Sequence, residues 1–324
     1  MKSIAERPSP SAQRDAFIAD VRYYLRLDPR QLPSRYLYDP LGSALFDAIT
    51  LLPWYGVTRA EARLLASHGA EIFKRLGGLS TVLELGSGNG EKLHLLLAEA
   101  TSPRPLVIDL VDVSSTALVS SSRALADLDE VTIVTHQASY EDGLRELAGR
   151  PHASGRCLVL FLGSNIGNFD PPGCDAFLRT VRAALRPGDG FLLGADLVKP
   201  EHELQLAYDD PLGVTAAFNR NILQRINREL GGHFDLQAFS HRAVWNGSES
   251  RMEMHLVSAH AQDVRIEAAS LDVEFAAGDA IWTESSYKFE PADLIARVER
   301  SGFRSVDRWV DAADRFELIL FEVS

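Results

Sequence analysis

Apolar residues recur along the chain with two different spacings, and the places where the spacing changes mark out its parts. Residues 1–12 are polar with two prolines, which predicts a loose tail. Over residues 14–27 the apolar positions return at helical spacing, and a second short helix is predicted over 42–51. In LLPWYGVTRAEARLLASHGAEIFKRLGG, Leu64, Leu65, Ile72 and Phe73 keep that spacing. Thr58 and Glu61 form a T-x-x-E capping box that predicts where this helix starts, and Gly77 and Gly78 predict where it stops. Short continuous apolar runs then take over. TVLELGSGNG, PLVIDLVDVS, VTIVTH, GRCLVLFLGS and GFLLGADL read as strands, with helices over 91–100, 114–128 and 172–185. Strands alternating with helices predict an α/β fold with a doubly wound parallel sheet. Nearly unbroken apolar strands predict that both faces of the sheet are covered.

This pattern breaks near Lys199. Residues 200–283 hold two helical segments, 201–208 and 214–230, followed by alternating segments such as SRMEMHLVSAHA and IEAASLDVEFAAG that read as antiparallel strands. They predict an inserted α+β substrate domain. KFEPADLIARVERSGF is then a helix closed by Gly302, and RSVDRWVDAADRFELILFEV reads as two strands joined by a short loop, an antiparallel ending to the sheet. The expected division is an N-terminal helical segment 1–57, a sheet domain 58–199 and 284–324, and the insert 200–283.

Charge narrows the partners. Lys and Arg number 33 against 45 Asp and Glu, a net charge of -12 with no local basic patch. Such a surface repels nucleic acid and suits a cationic ligand. The chain has only 2 cysteines, Cys157 and Cys174, which predicts two inert buried thiols in a reducing compartment. MKSIAERPSPSAQRDAF carries no signal-peptide pattern, and no apolar run approaches the roughly 20 residues needed to span a bilayer. A cytoplasmic protein without a membrane partner is expected. The N-glycosylation match at Asn246 is therefore read as chance.

The strongest chemical signal is Glu84-Leu85-Gly86-Ser87-Gly88-Asn89-Gly90-Glu91. Glycines between a first strand and a helix let a ligand approach the backbone. A dinucleotide fits poorly, because Glu91 stands at the third glycine position of G-x-G-x-x-G, where it would crowd helix–sheet packing and repel a pyrophosphate. S-adenosylmethionine, with a sulfonium, an amino-acid end and a ribose, fits better. Asp112, at the end of the second strand, suits the ribose hydroxyls. FLGSNIGNFDPP follows the fourth strand, so Gly163 and Asn168 fall where open α/β sheets bind ligands. The alternative for that stretch is an Asn-Gly loop turn. The histidines show no metal-ligand spacing, and His255 and His260, five apart in a strand region, would face opposite sides.

The two-strand ending and the LRPGDGFLL turn resemble class I methyltransferases, whose Rossmann-like doubly wound sheet ends in an antiparallel C-terminal strand. More specifically, the chain resembles the histidine-specific Nα-methyltransferases of ergothioneine biosynthesis from about Tyr38 onward. YLYDPLGSALFDAIT, LPWYGVTRAE, ELGSGNGEK, FLGSNIGNF, ADLVKP, AYDDPLGVTAAFNRNIL and TESSYKF carry the likeness. It implies trimethylation of the histidine α-amine to hercynine, with S-adenosylmethionine as cofactor and histidine and its mono- and dimethyl forms as small-molecule partners. A monomer is expected. The resemblance further implies that Tyr38, Gly86, Gly88, Lys92, Asp112, Ser139 and Tyr140 meet the cofactor. Tyr55, Glu284 and Ser286 would hold the imidazole. Asn168 and Tyr208 would hold the carboxylate, Gly163 would face the α-amine, Met254 would line the pocket, and Tyr38 is the candidate path for the amine proton.

The residue types agree with that chemistry. Glu284 accepts, Ser286 donates or accepts, and two positions apart on an extended segment they share a face. Taken singly, each has a plainer reading: a solvated acid for Glu284, a loop hydroxyl for Ser286, amphipathic packing for Tyr55 and Tyr208, and core filling for Met254. The alternatives are an Nα-methyltransferase for another, aromatic amino acid and a non-catalytic cofactor-binding relative.

Overall fold

The computed structural model describes residues 10–98, 105–149 and 155–324. Helix α1 (Pro10–Tyr24), strand β1 (Arg30–Gln31) and helix α2 (Pro40–Thr50) come first. They are followed by α3 (Val57–Leu76), β2 (Leu79–Leu85), α4 (Glu91–Ala98), β3 (Leu106–Asp112), α5 (Ser115–Ala124), β4 (Val131–Gln137), α6 (Tyr140–Ala148), β5 (Arg156–Phe161), α7 (Pro171–Ala184) and β6 (Gly190–Asp196). Next are α8 (Glu201–Tyr208), α9 (Val214–Leu230), β7 (Phe239–Asn246), β8 (Arg251–Ser258), β9 (Gln262–Ile266), β10 (Leu271–Phe275) and β11 (Ala280–Tyr287). The chain ends with α10 (Pro291–Arg300), β12 (Phe303–Asp311) and β13 (Phe316–Val323).

The chain divides into two compact units. One is Met1–Tyr55 with Pro200–Ser286, and the other is Gly56–Lys199 with Tyr287–Ser324. The N-terminal segment and the insert, separate in the sequence reading, thus form one unit.

The second unit holds a seven-stranded sheet in the order β12-β13-β6-β5-β2-β3-β4. Strands β2 to β6 run parallel, and β13 lies antiparallel between β6 and β12. This is the doubly wound sheet with a reversed terminal strand that the apolar runs predict. Every residue of β6 is buried, and so is all of β13 except Glu322. Leu83, Val159, Phe161, Phe191, Ile319 and Phe321 of the sheet pack with Phe177 and Leu178 of α7 in one core. Both cysteines are free and buried, and burial pushes both thiols up.

In the first unit, β1-β11-β8-β7 form a sheet in which β1 runs parallel to β11 and β7 antiparallel to β8, while β9 and β10 form a separate hairpin. Helix α9 lines up Phe218, Ile222, Ile226 and Leu230 on its buried side.

Several boundaries differ from expectation. The end of the expected tail is helical from Pro10; residues 1–9, and the end of the helix expected over 91–100, fall outside the described residues. Helix α6 has no apolar run to announce it; Ser139 caps its start, accepting from the Asp142 N–H at 3.2 Å. Among the described residues no helix is long and apolar enough to cross a membrane.

Candidate functional site

In the sheet unit, β2 runs directly into the glycine turn. Gly86 takes φ +79°, a left-handed backbone that other residues reach only with strain. Gly86 and Ser87 donate their N–H groups to Val111 O at 2.8 and 3.3 Å, tying the turn to the end of β3. A Cβ at Gly86 would lie 3.0 Å from Asn165 Nδ2 and 3.2 Å from the Tyr140 hydroxyl oxygen. Gly86, Asn165 and Tyr140 therefore converge on one place, and the missing side chain keeps it open. Glu91 does not crowd the sheet as expected. Its side chain is exposed at the start of α4, and the close contact belongs to Gly90, where a Cβ would lie 2.6 Å from Ser121 Cα.

Three acids surround this turn. Asp112 accepts the Gly88 N–H at 3.2 Å and the Ser114 N–H at 2.8 Å, and burial pushes its carboxyl up. Glu84, on β2, is 2% exposed, and its Oε2 has no hydrogen-bond partner among the described residues. Burial raises it to about 8, opposed by Lys92 and reinforced by Glu61 and Asp112. Glu61, on α3, is wholly buried. Its Oε2 lies 2.6 Å from Lys92 Nζ, and its two oxygens accept the Gly163 N–H at 2.8 and 2.9 Å.

Glu61 overturns the capping box. The residue at the start of α3 is Gly56, no side chain caps it, and Thr58 sits inside the first turn. Val57, Ala60, Leu64 and Leu65 make the buried stripe of this helix. Glu61 lies on the same stripe, so its carboxylate is carried inside, where an ammonium and a backbone N–H offset the desolvation.

Gly163 has φ +72°, and a Cβ there would lie 3.1 Å from Lys92 Nζ. Its N–H is engaged by Glu61, so that group does not meet an amine. Asn168 ends the short 3-10 turn after Gly163 and is exposed. Tyr140 packs edge-on against Phe161 at 5.2 Å and Phe177 at 6.3 Å. The Ser139 hydroxyl donates to Asp142 Oδ2 at 2.8 Å, within its capping role. S-adenosylmethionine fits these residues. Its positive charge suits the neighbouring acids and would favour loss of the proton that burial keeps on Glu84 in the ligand-free protein, and Gly86 leaves room at the backbone.

The other unit gathers a different set. Tyr38 stacks edge-on with Phe46 at 5.6 Å and Phe218 at 5.4 Å, and Phe46 meets Tyr55 at 6.2 Å. Tyr38 thus shares a unit with Tyr55, and not with Gly86, Gly88, Lys92 and Asp112. Tyr55 meets Tyr208 edge-on at 6.4 Å. The Tyr208 and Ser286 hydroxyl oxygens are 2.8 Å apart and buried. Glu284 is partly exposed, two residues before Ser286 on β11, and its carbonyl accepts the Trp282 indole N–H at 2.9 Å. Met254 is buried on β8. Among the described residues no group of three or more His, Cys, Asp or Glu side chains is placed to hold a metal ion.

Sequence reasoning missed Glu61, Glu84 and Asn165 as members of the site. A signal existed for the first two, since each is a charge within an otherwise apolar stripe or strand. Asn165 carries no such mark.

The chain matches the family described as "Histidine-specific methyltransferase, SAM-dependent" over residues 17–323. It is 43% identical to the histidine N-alpha-methyltransferase of Mycolicibacterium smegmatis, covering 98% of both chains. It is 42% identical to that of Mycobacterium tuberculosis, again covering 98% of both. It is 33% identical to ergothioneine biosynthesis protein 1 of Neurospora crassa, over 87% of this chain and 32% of that one. With the match covering nearly all of its length, the chain belongs to the family of histidine-specific, SAM-dependent methyltransferases.

Proposed function

We propose that the protein transfers methyl groups to the α-amine of L-histidine, through the mono- and dimethyl forms to hercynine, as a step of ergothioneine biosynthesis. It does so as a cytoplasmic monomer. The observation that carries this reading is the pairing of Tyr208 with Ser286 at 2.8 Å, beside Glu284 on the same strand. A neutral imidazole has one N–H to donate and one nitrogen to accept. When Tyr208 donates to Ser286, the serine proton is directed to the accepting nitrogen, and Glu284 takes the ring N–H. Tyr55, edge-on to Tyr208, supplies a ring face beside that pair.

When bound, S-adenosylmethionine supplies a methyl group on a positively charged sulfur. Gly86 would give it backbone room, Asp112 would hold its ribose hydroxyls, Tyr140 its adenine, and Glu84 its positive end. Lys92 and Gly163 are held in place by Glu61. With its N–H held by Glu61, Gly163 meets the amine of the amino acid through its carbonyl, Asn168 meets the carboxylate, and Met254 lines the pocket. Tyr38, set among aromatic rings, relays the amine proton or lets water take it, and tyrosine faces accommodate the cationic product. Orientation is the main contribution of the protein.

The test is mass spectrometry of products after mixing the protein and S-adenosylmethionine with each of the twenty amino acids. Mono-, di- and trimethylhistidine are expected. Methylation of an aromatic amino acid in place of histidine overturns the substrate, and no methylation of any amino acid overturns the activity.

A further inference from the structure

Behind the residues read as the imidazole holder lies a buried polar chain to which no role has been given. Asn219, on α9, is wholly buried. Its Nδ2 lies 3.2 Å from His255 O and 2.9 Å from His241 Nδ1. Its Oδ1 lies 2.6 Å from Thr283 Oγ1, which is also 2.9 Å from Met254 O. His241 Nε2 lies 2.8 Å from Tyr208 O.

The direction of every bond at Asn219 follows from two carbonyls. A carbonyl only accepts, so His255 O fixes the amide nitrogen of Asn219 on its side, and Tyr208 O fixes the proton of His241 on Nε2. The second Nδ2 hydrogen then points at His241 Nδ1, which must accept. Asn219 Oδ1 is left to accept from the Thr283 hydroxyl, whose single proton it shares with Met254 O. The two assignments are made independently and agree. They require His241 to be neutral, as its burial favours. A single amide thereby joins the end of α8, which carries Tyr208, to β7, β8 and β11. Thr283, on β11, immediately precedes Glu284 and touches the carbonyl of Met254 on β8.

We propose that Asn219 is a positioning residue for substrate recognition: through His241 it fixes Tyr208, and through Thr283 it fixes the strand that carries Glu284 and Ser286. This deepens the histidine reading above and rests on it. Burial makes the arrangement exacting, because each group that loses its partner is stranded away from water. Replacing the amide by a carboxylate keeps the shape and removes both donations of Nδ2. The oxygen in place of Nδ2 cannot donate to His241 Nδ1 and faces His255 O.

The experiment measures KM and kcat for histidine, and calorimetric binding of S-adenosylhomocysteine, in wild type and in Asn219→Asp. Thr283→Val, which removes the same link from its other end, is measured beside it in case the first variant does not fold. The expected result is a KM for histidine raised about 10-fold or more, with kcat within about 3-fold of wild type and S-adenosylhomocysteine affinity unchanged. If the folded variants keep the wild-type KM, Asn219 does not position the substrate holder. If KM rises while kcat and S-adenosylhomocysteine affinity fall with it, its role is general stability and the proposal is likewise overturned. If wild type itself does not methylate histidine, the histidine reading falls, and this inference falls with it.

Discussion

Glu61 and Lys92 form an ion pair at 2.6 Å in which the carboxylate is entirely buried and the ammonium side chain is about a quarter exposed. The pair does more than neutralise a charge, because the same carboxylate grips the Gly163 N–H with both oxygens. Removing one member of a buried pair leaves the other uncompensated. Glu61→Gln keeps an acceptor for Gly163 and removes the charge that holds Lys92. Calorimetric affinity for S-adenosylhomocysteine should fall about 10-fold or more in this variant. Lys92→Met, which strands Glu61 instead, should fall at least as far, and the double variant should lose less than the two effects added. Strictly additive losses would show that the two residues act separately.

Gly86→Val should abolish binding of the same ligand. A Cβ at this position meets Asn165 and Tyr140 at 3.0 and 3.2 Å, and the backbone φ of +79° strains any branched residue. Measured affinity within about 3-fold of wild type would remove the glycine turn from the ligand site.

Glu84 gives the ligand-free protein a pH dependence. Its folded-state pKa of about 8 stands above its ordinary value of 4.5, so between those limits the folded form binds more protons than the unfolded one. Stability linked to this group is therefore fully present below about pH 4.5 and is lost as pH rises through about 8. Glu84→Gln, which cannot ionise, should flatten the decline in Tm from pH 6 to pH 9 and raise Tm at the alkaline end, at about 2–4 °C per kcal/mol for a domain of this size. Parallel Tm profiles for variant and wild type would mean that Glu84 ionises in the folded protein at its ordinary pH.

Glu284→Ala should raise KM for histidine by roughly 10-fold or more, the scale of a hydrogen bond to a charged group worth about 1.5–3 kcal/mol. Discrimination against tryptophan and phenylalanine should relax in the same variant, since no carboxylate remains to be stranded by an apolar ring. The check is kcat/KM for the three amino acids. Unchanged histidine kinetics would mean that Glu284 does not read the imidazole.

The parallel strands were legible because each is a short apolar run closed by glycine or a polar turn, and the reversed ending was legible from RSVDRWVDAADRFELILFEV. The glycine turn and Asp112 were legible because their spacing is set by the strands themselves. Glu61 was misread because T-x-x-E fits a helix start equally well whether the Glu faces water or the core. Only the neighbours on its stripe, Ala60, Leu64 and Leu65, tell the two apart. The pairing of Arg30 with Ile281 was invisible, since a two-residue strand has no period to detect and its partner lies at the far end of the insert. Asn219 and His241 were missed for a related reason: a buried polar network is defined by distances between segments, and no single segment carries its mark.

The reversed strand β13 has a consequence for synthesis. It fills the sheet between β6 and β12 although it is made after every other strand of that sheet. On the ribosome, β6 therefore waits with one edge unpaired while the whole of 200–315 emerges. β1 has by then been waiting longer, for β11, and the two waits overlap while 200–280 emerges. Neither unit can close as its chain appears, so the nascent protein carries two unfinished sheets at once. An open apolar edge is a template for the wrong strand, and late long-range pairing is slow. Its vulnerable period is thus the interval before Phe316–Val323 inserts, when a chaperone that shields β6 has most to protect.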